Sequence, residues 1–218
     1  MENTRTKQLT TLAMLAAMAC LAMLINVPVI PAAPFLRYDP KDVIIVMGGF
    51  MFGPAAAFTL AAITALVEMV TISEAGVWGF LMNTLSSSAF AVSAAAVYKY
   101  KRTLFGAVIG LIAGVIVVIP VMLLWNYIVV PLFTGMPREV VAGMLVPVFL
   151  PFNAIKYGLN AAIALIIYKP IVTALTAAGL YRTSSQEGAG KVYLGVLVTA
   201  VFVVISLALI ILILQGVI

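Results

Sequence analysis

Lys41-Asp-Val-Ile-Ile-Val-Met-Gly-Gly-Phe-Met-Phe-Gly-Pro54 governs the topology of this chain. The run is apolar enough for a bilayer, yet a helix from Lys41 to Phe52 is only about 18 Å long, short of a hydrocarbon core of about 30 Å. Gly53-Pro54 then breaks the pattern, and a second apolar run, residues 55–72, follows at once. The two runs make either one kinked helix or two helices in a tight hairpin.

Charge separates these alternatives. Lys and Arg accumulate on the cytoplasmic side of membrane proteins, and Lys99, Lys101 and Arg102 join Arg5 and Lys7 there only if the break is a hairpin. The hairpin also places Lys169, Arg182 and Lys191 inside. It leaves the balanced 37–42 segment, Glu74 and Arg138-Glu139 in outer loops. The other apolar runs cover residues 9–27, 77–98, 104–130, 147–175 and 192–214.

Of the 218 residues, 65% are hydrophobic and 9% charged. Mean hydropathy is +1.23, and the apolar share far exceeds the roughly 45–50% of soluble domains. These values imply an all-α, polytopic integral membrane protein with six or seven spans and no soluble domain. Any ATPase that drives it is then a separate chain. Residues 1–8 are short and polar with no cleaved-signal arrangement, so they are expected in the mature protein. The chain has no histidine and one cysteine, Cys20, which excludes His-based metal sites, His general bases and disulfides; Cys20 reads as a packing residue. No catalytic or metal-binding residue is assigned. The net charge of +5 needs no nucleic acid partner, because the bases fall at cytoplasmic loop positions.

With this topology the intramembrane polar residues gather at the outer end. Glu68, Asn83 and Asn126 lie in the outer parts of their helices, Asn153 and Lys156 open the next one, and the charged segment Arg37-Tyr-Asp-Pro-Lys-Asp42 reaches the same level. Asp39-Pro40 favours a turn, and Pro40 can open a helix as its first residue. Asn153, Lys156, Tyr157 and Asn160 follow i, i+3, i+4, i+7 spacing and share one helix face. Ionisable groups in spans are costly and mark cavities or pathways; a bland alternative pairs Glu68 with Lys156. Trp78, Trp125, Tyr127, Phe149, Phe152 and Tyr157 lie at belt depth, where aromatics are expected in any case. Pro120 should kink the long fifth run. In the first helix Ala13 and Ala17 form a small-xxx-small pair, extended by Ala16 and Cys20, that could admit another helix.

Leu36-Arg-Tyr-Asp-Pro-Lys-Asp42, Phe52-Gly-Pro54, Trp125-Asn-Tyr127 leading to Pro131-Leu-Phe133, and Pro151-Phe-Asn-Ala-Ile-Lys156 resemble motifs of the riboflavin-specific substrate-binding subunits (S components) of energy-coupling factor (ECF) vitamin transporters. The similarity covers roughly residues 8–178. It implies a six-helix bundle with both core termini cytoplasmic in a prokaryotic cell membrane. It also implies non-enzymatic, high-affinity riboflavin binding from outside, with the isoalloxazine held by residues mapping onto Asn126, Asn153 and Lys156. Riboflavin is then the transported ligand and no cofactor is expected. Ala13 and Ala17 would dock a membrane coupling protein bound to two ATPases, whose ATP-driven movement topples the S component in the bilayer.

The chain therefore divides into a membrane substrate-binding unit (1–182), a polar linker (183–191) and an additional C-terminal membrane helix (192–218) that departs from the six-helix pattern. Tyr38, Asp39, Asp42 and Glu68 are expected at the ribityl chain, with Asn83, Tyr157 and Asn160 close by. Competing readings are an S component for another vitamin or for flavin mononucleotide, and a stand-alone secondary carrier using Glu68 as the only buried acid available to a coupling ion. An intramembrane enzyme is disfavoured by the lack of histidine or a paired acid and base.

Overall fold

The computed structural model describes residues 2–31, 33–73, 75–177 and 189–217. The helices are α1 (Glu2–Ala22), α2 (Lys41–Phe52), α3 (Pro54–Thr71), α4 (Gly76–Tyr100), α5 (Leu104–Thr134), α6 (Arg138–Met144), α7 (Leu150–Ala177) and α8 (Ala189–Leu214); a π-helical turn, Leu145–Phe149, joins α6 to α7. Among the described residues, five helical runs are long and apolar enough to cross a membrane: α3, α4, α5, the continuous Arg138–Ala174 run and Tyr193–Leu214. The chain is an all-α, multi-pass membrane protein. Glu74, Arg182 and residues 183–188 of the polar linker lie outside the described residues, as does the side chain of Lys191.

Gly53 makes the hairpin. Its φ of 95° and ψ of 177° fall in a region that only glycine occupies readily, and the chain reverses there. A Cβ placed on Gly49 would lie 2.9 Å from the Ala57 Cβ and 3.0 Å from the Ala95 Cβ, so α2 lies side by side with α3 and against α4. One kinked helix could not bring Gly49 beside Ala57. Ten of the twelve α2 residues are buried, in a core that also takes Leu15, Leu60, Phe90, Tyr98, Leu111 and Tyr168. Its length ceases to be a difficulty, because neighbouring helices enclose it.

Helices α4 and α5 are drawn together by Gly110 and Gly114, whose spacing of four was not read from the sequence; a Cβ at either would lie 2.6 Å from a carbonyl oxygen of α4, that of Ala94 or Phe90. Helix α5 runs unbroken through Pro120 and is closed by Gly135 in the left-handed region. Three features differ from the sequence reading. Helix α1 stops at Ala22 rather than Val27, because Val27–Pro28 (β1) pairs antiparallel with Arg37–Tyr38 (β2). The segment between α5 and α7 holds α6, and Pro147 lies in the π turn. Pro40 is the N-cap of α2 rather than its first residue.

Candidate functional site

A cavity of about 390 Å3 opens at one end of the bundle, among α3, α4, α5, α7 and the β1–β2 hairpin. The topology places its polar lining without long-range coincidence. Glu68 is one turn from the end of α3 and Asn83 two turns into α4. Asn126 lies near the end of α5, and Asn153, Lys156 and Tyr157 lie on the first turns of α7. Asp39 comes from the segment between β2 and α2. Trp78, Trp125, Met82, Met122, Phe133 and Phe152 supply apolar walls.

Lys41, behind the lining, joins three of the lining residues in an ionic network. Lys156 Nζ donates to Asp39 Oδ2 at 2.8 Å, Lys41 Nζ lies 3.5 Å from the same oxygen, and Lys41 also pairs with Glu68. Sequence reasoning had offered a Glu68–Lys156 pair. In the structure Lys41 comes between them, since the first turn of α2 enters the bundle at this level. The reading of Glu68 as the only buried acid is also corrected: Asp42 is 0% and Asp39 6% exposed. Burial pushes the Asp39 carboxyl up, but the ammonium groups of Lys156 and Lys41 outweigh it and hold the group below the ordinary aspartate range.

Asn160 lies one turn deeper than the cavity. Its Nδ2 is 3.4 Å from both the Asp39 carbonyl and Asp42 Oδ2, and its Oδ1 accepts from the Tyr38 hydroxyl at 3.1 Å. Of the residues expected at the site, Asn126, Asn153, Lys156, Asp39, Glu68, Asn83 and Tyr157 therefore line the cavity, while Tyr38, Asp42 and Asn160 form its supporting layer. Asn153, Lys156, Tyr157 and Asn160 are all buried and share the inward face of α7. Asn153 Nδ2 donates to the Phe149 carbonyl at 2.7 Å, which leaves its Oδ1 to accept from a ligand.

Belt depth concealed further lining residues. Trp78, Trp125 and Phe152 face the cavity, whereas Phe149 is buried in an apolar cluster and Tyr127 lies beneath the Arg138 guanidinium at 5.5 Å. Asn26 and Arg37 also line the rim, with the Arg37 guanidinium donating to the Asn26 side chain and carbonyl. Arg37 belonged to the charged segment; nothing in the sequence marked Asn26. On α1, Ala13 and Ala17 are exposed, but Ala16 is buried and Cys20 partly so. The small-residue surface therefore does not extend to that second pair.

Residues 7–168 match the family model described as "ECF transporter, substrate-specific component". The chain is 29% identical over 175 residues to the riboflavin transporter RibU of Staphylococcus aureus (strain TCH60), covering 78% of this chain and 92% of that protein. It is 27% identical over 166 residues to the riboflavin transporter FmnP of Bacillus subtilis (strain 168), covering 70% and 85%. A solved structure, described as the S component of a bacterial ECF transporter, superposes with a TM-score of 0.68 at 31% identity, covering 78% of this chain and 98% of its own.

Proposed function

The chain belongs to the family of ECF transporter substrate-specific components, and we propose that it is the riboflavin-binding membrane subunit of such a transporter rather than an enzyme. The observation that carries this reading is the composition of the cavity. Tryptophan, phenylalanine and methionine walls suit a flat heteroaromatic ring, and Asn126, Asn153 and Lys156 offer acceptors and donors for the edge of an isoalloxazine. Two relatives carrying the name riboflavin transporter support it.

In this reading Asn153 Oδ1 accepts the ring imide N–H, Asn126 completes recognition of the same edge, and Lys156 donates to a ring carbonyl while keeping its bond to Asp39. Asp39, Glu68 and Asn83 face the ribityl hydroxyls. Tyr38, Asp42 and Asn160 hold that set in place, and Tyr157 lines the cavity beside it. A phosphate-bearing flavin is a poorer match, because Lys41 and Lys156 already face carboxylates and only Arg37 at the rim pairs with a neutral group.

The ligand enters from outside, with the N-terminus cytoplasmic, and leaves inward when a membrane coupling protein and two ATPase chains act on the subunit. Ala13 and Ala17 form the docking surface for the coupling protein. Residues 1–182 are the binding unit, and 192–218 an appended helix reached through the 183–191 linker. Titration of the purified, detergent-solubilised chain with riboflavin, followed by flavin fluorescence quenching, is expected to saturate at one ligand per chain. Folded protein that gives no quenching overturns the assignment.

A further inference from the structure

Helix α8 lies beyond the family match, which ends at residue 168, yet it is joined to the wall of the cavity. Val204, Leu207 and Ile211 lie on one helical face and pack into the cluster formed by Val29, Ile30 and Leu36 of the outer hairpin with Phe152, Ile155 and Leu159 of α7. Gln215 continues the same face one turn further, and its Nε2 donates to the Pro28 carbonyl. At the opposite end the Lys169 ammonium sits 4.4 Å from the centre of the Tyr193 ring, and the Tyr193 hydroxyl is 3.4 Å from the Ile166 carbonyl. The helix therefore runs antiparallel to α7 and is fixed at both ends. Its other face, including Phe202 at 70% exposure, is exposed among the described residues.

The hairpin and α7 supply facing walls of the cavity: Phe35, Arg37 and Asp39 from one, and Phe152, Asn153 and Lys156 from the other. We infer that α8 is a brace for the ligand site, with Gln215 as a positioning residue that holds the outer hairpin in its binding arrangement before the ligand arrives. An unanchored hairpin must be ordered by the ligand, which weakens binding; an anchored one has already met that cost through folding. The prominence of Gln215 has a simple chemical basis. It is the one side-chain hydrogen-bond donor at the outer end of a helix that carries no charge beyond Lys191.

The inference rests on riboflavin as the ligand for one of its two readouts. Gln215→Glu, in the full chain, keeps the shape but faces the Pro28 carbonyl with an acceptor. It is expected to raise the riboflavin Kd about fivefold, the factor for one neutral hydrogen bond. It should also speed amide hydrogen exchange in residues 27–38 of the ligand-free protein without speeding it in α5. Phe202→Ala, on the outward face of α8, should do neither. The brace is overturned if Gln215→Glu leaves hairpin exchange unchanged, if exchange rises while the Kd stays within twofold, or if Phe202→Ala has the same effects. Failure of the wild-type chain to bind riboflavin removes the proposed function instead, and the exchange comparison then decides the anchoring alone.

Discussion

Asp39 carries more of the site than any other single residue, because one carboxyl group faces two lysines and touches the cavity as well. Its folded pKa is depressed, so its stabilising effect is complete above the ordinary carboxylate range and disappears as pH falls through the depressed value. Thermal stability should be level from about pH 5 to 8 and decline below about pH 4; Asp39→Asn should flatten that decline, as a melting series across pH would reveal. In the proposed site Lys156→Ala removes a charged hydrogen bond to the ligand, and it leaves Asp39 with Lys41 alone. Riboflavin affinity should drop about 10- to 100-fold, matching about 1.5–3 kcal/mol, with a lower melting temperature. A variant that quenches flavin fluorescence as well as wild type would remove Lys156 from the site. These residues were legible because charge is rare in this chain. The sequence could not give their pairing: Lys41 and Glu68 are 27 residues apart and Asp39 and Lys156 are 117 apart, so pairing depends on which helix ends meet.

At the scale of elements, α2 and its turn carry the most risk. Gly53→Ala forces a side chain into a backbone region reserved for glycine and should destabilise the protein by about 1–3 kcal/mol. Gly49→Val drives a branched side chain into Ala57 and Ala95, which have no flexible ends to move aside, and should cost about 1–3 kcal/mol or prevent folding. Melting of the detergent-solubilised variants checks both; a wild-type transition for Gly49→Val would mean that α2 does not pack this closely. The Gly53-Pro54 break announced itself in the sequence. The β1–β2 pairing and the π turn did not, since two-residue strands and a five-residue turn carry almost no periodicity.

For the whole molecule, α5 separates the 99–102 cluster from the 138–139 pair, and in the proposed topology the hairpin puts the cluster on the same side of the membrane as Arg5 and Lys7. In a Cys20→Ser background, a cysteine at Arg138 should react with an impermeant thiol reagent on intact cells. One at Tyr100, 91% exposed, should react only after the cells are opened; labelling of both from outside would overturn the topology. The sequence by itself determined the membrane class, most of the helical segments, the hairpin and the set of polar residues that collect at one end of the bundle. Each of these follows from local hydrophobicity, a glycine-proline break or the count of lysines and arginines beside a span. Only the tertiary structure decided that a 12-residue helix is enclosed at the centre, that Asn160 lies behind the cavity while Trp125 lines it, and that α8 reaches the outer hairpin. A helical repeat gives a residue's face and depth, but the neighbour on that face is set by how close-packed helices exclude one another, which depends on residues far away along the chain.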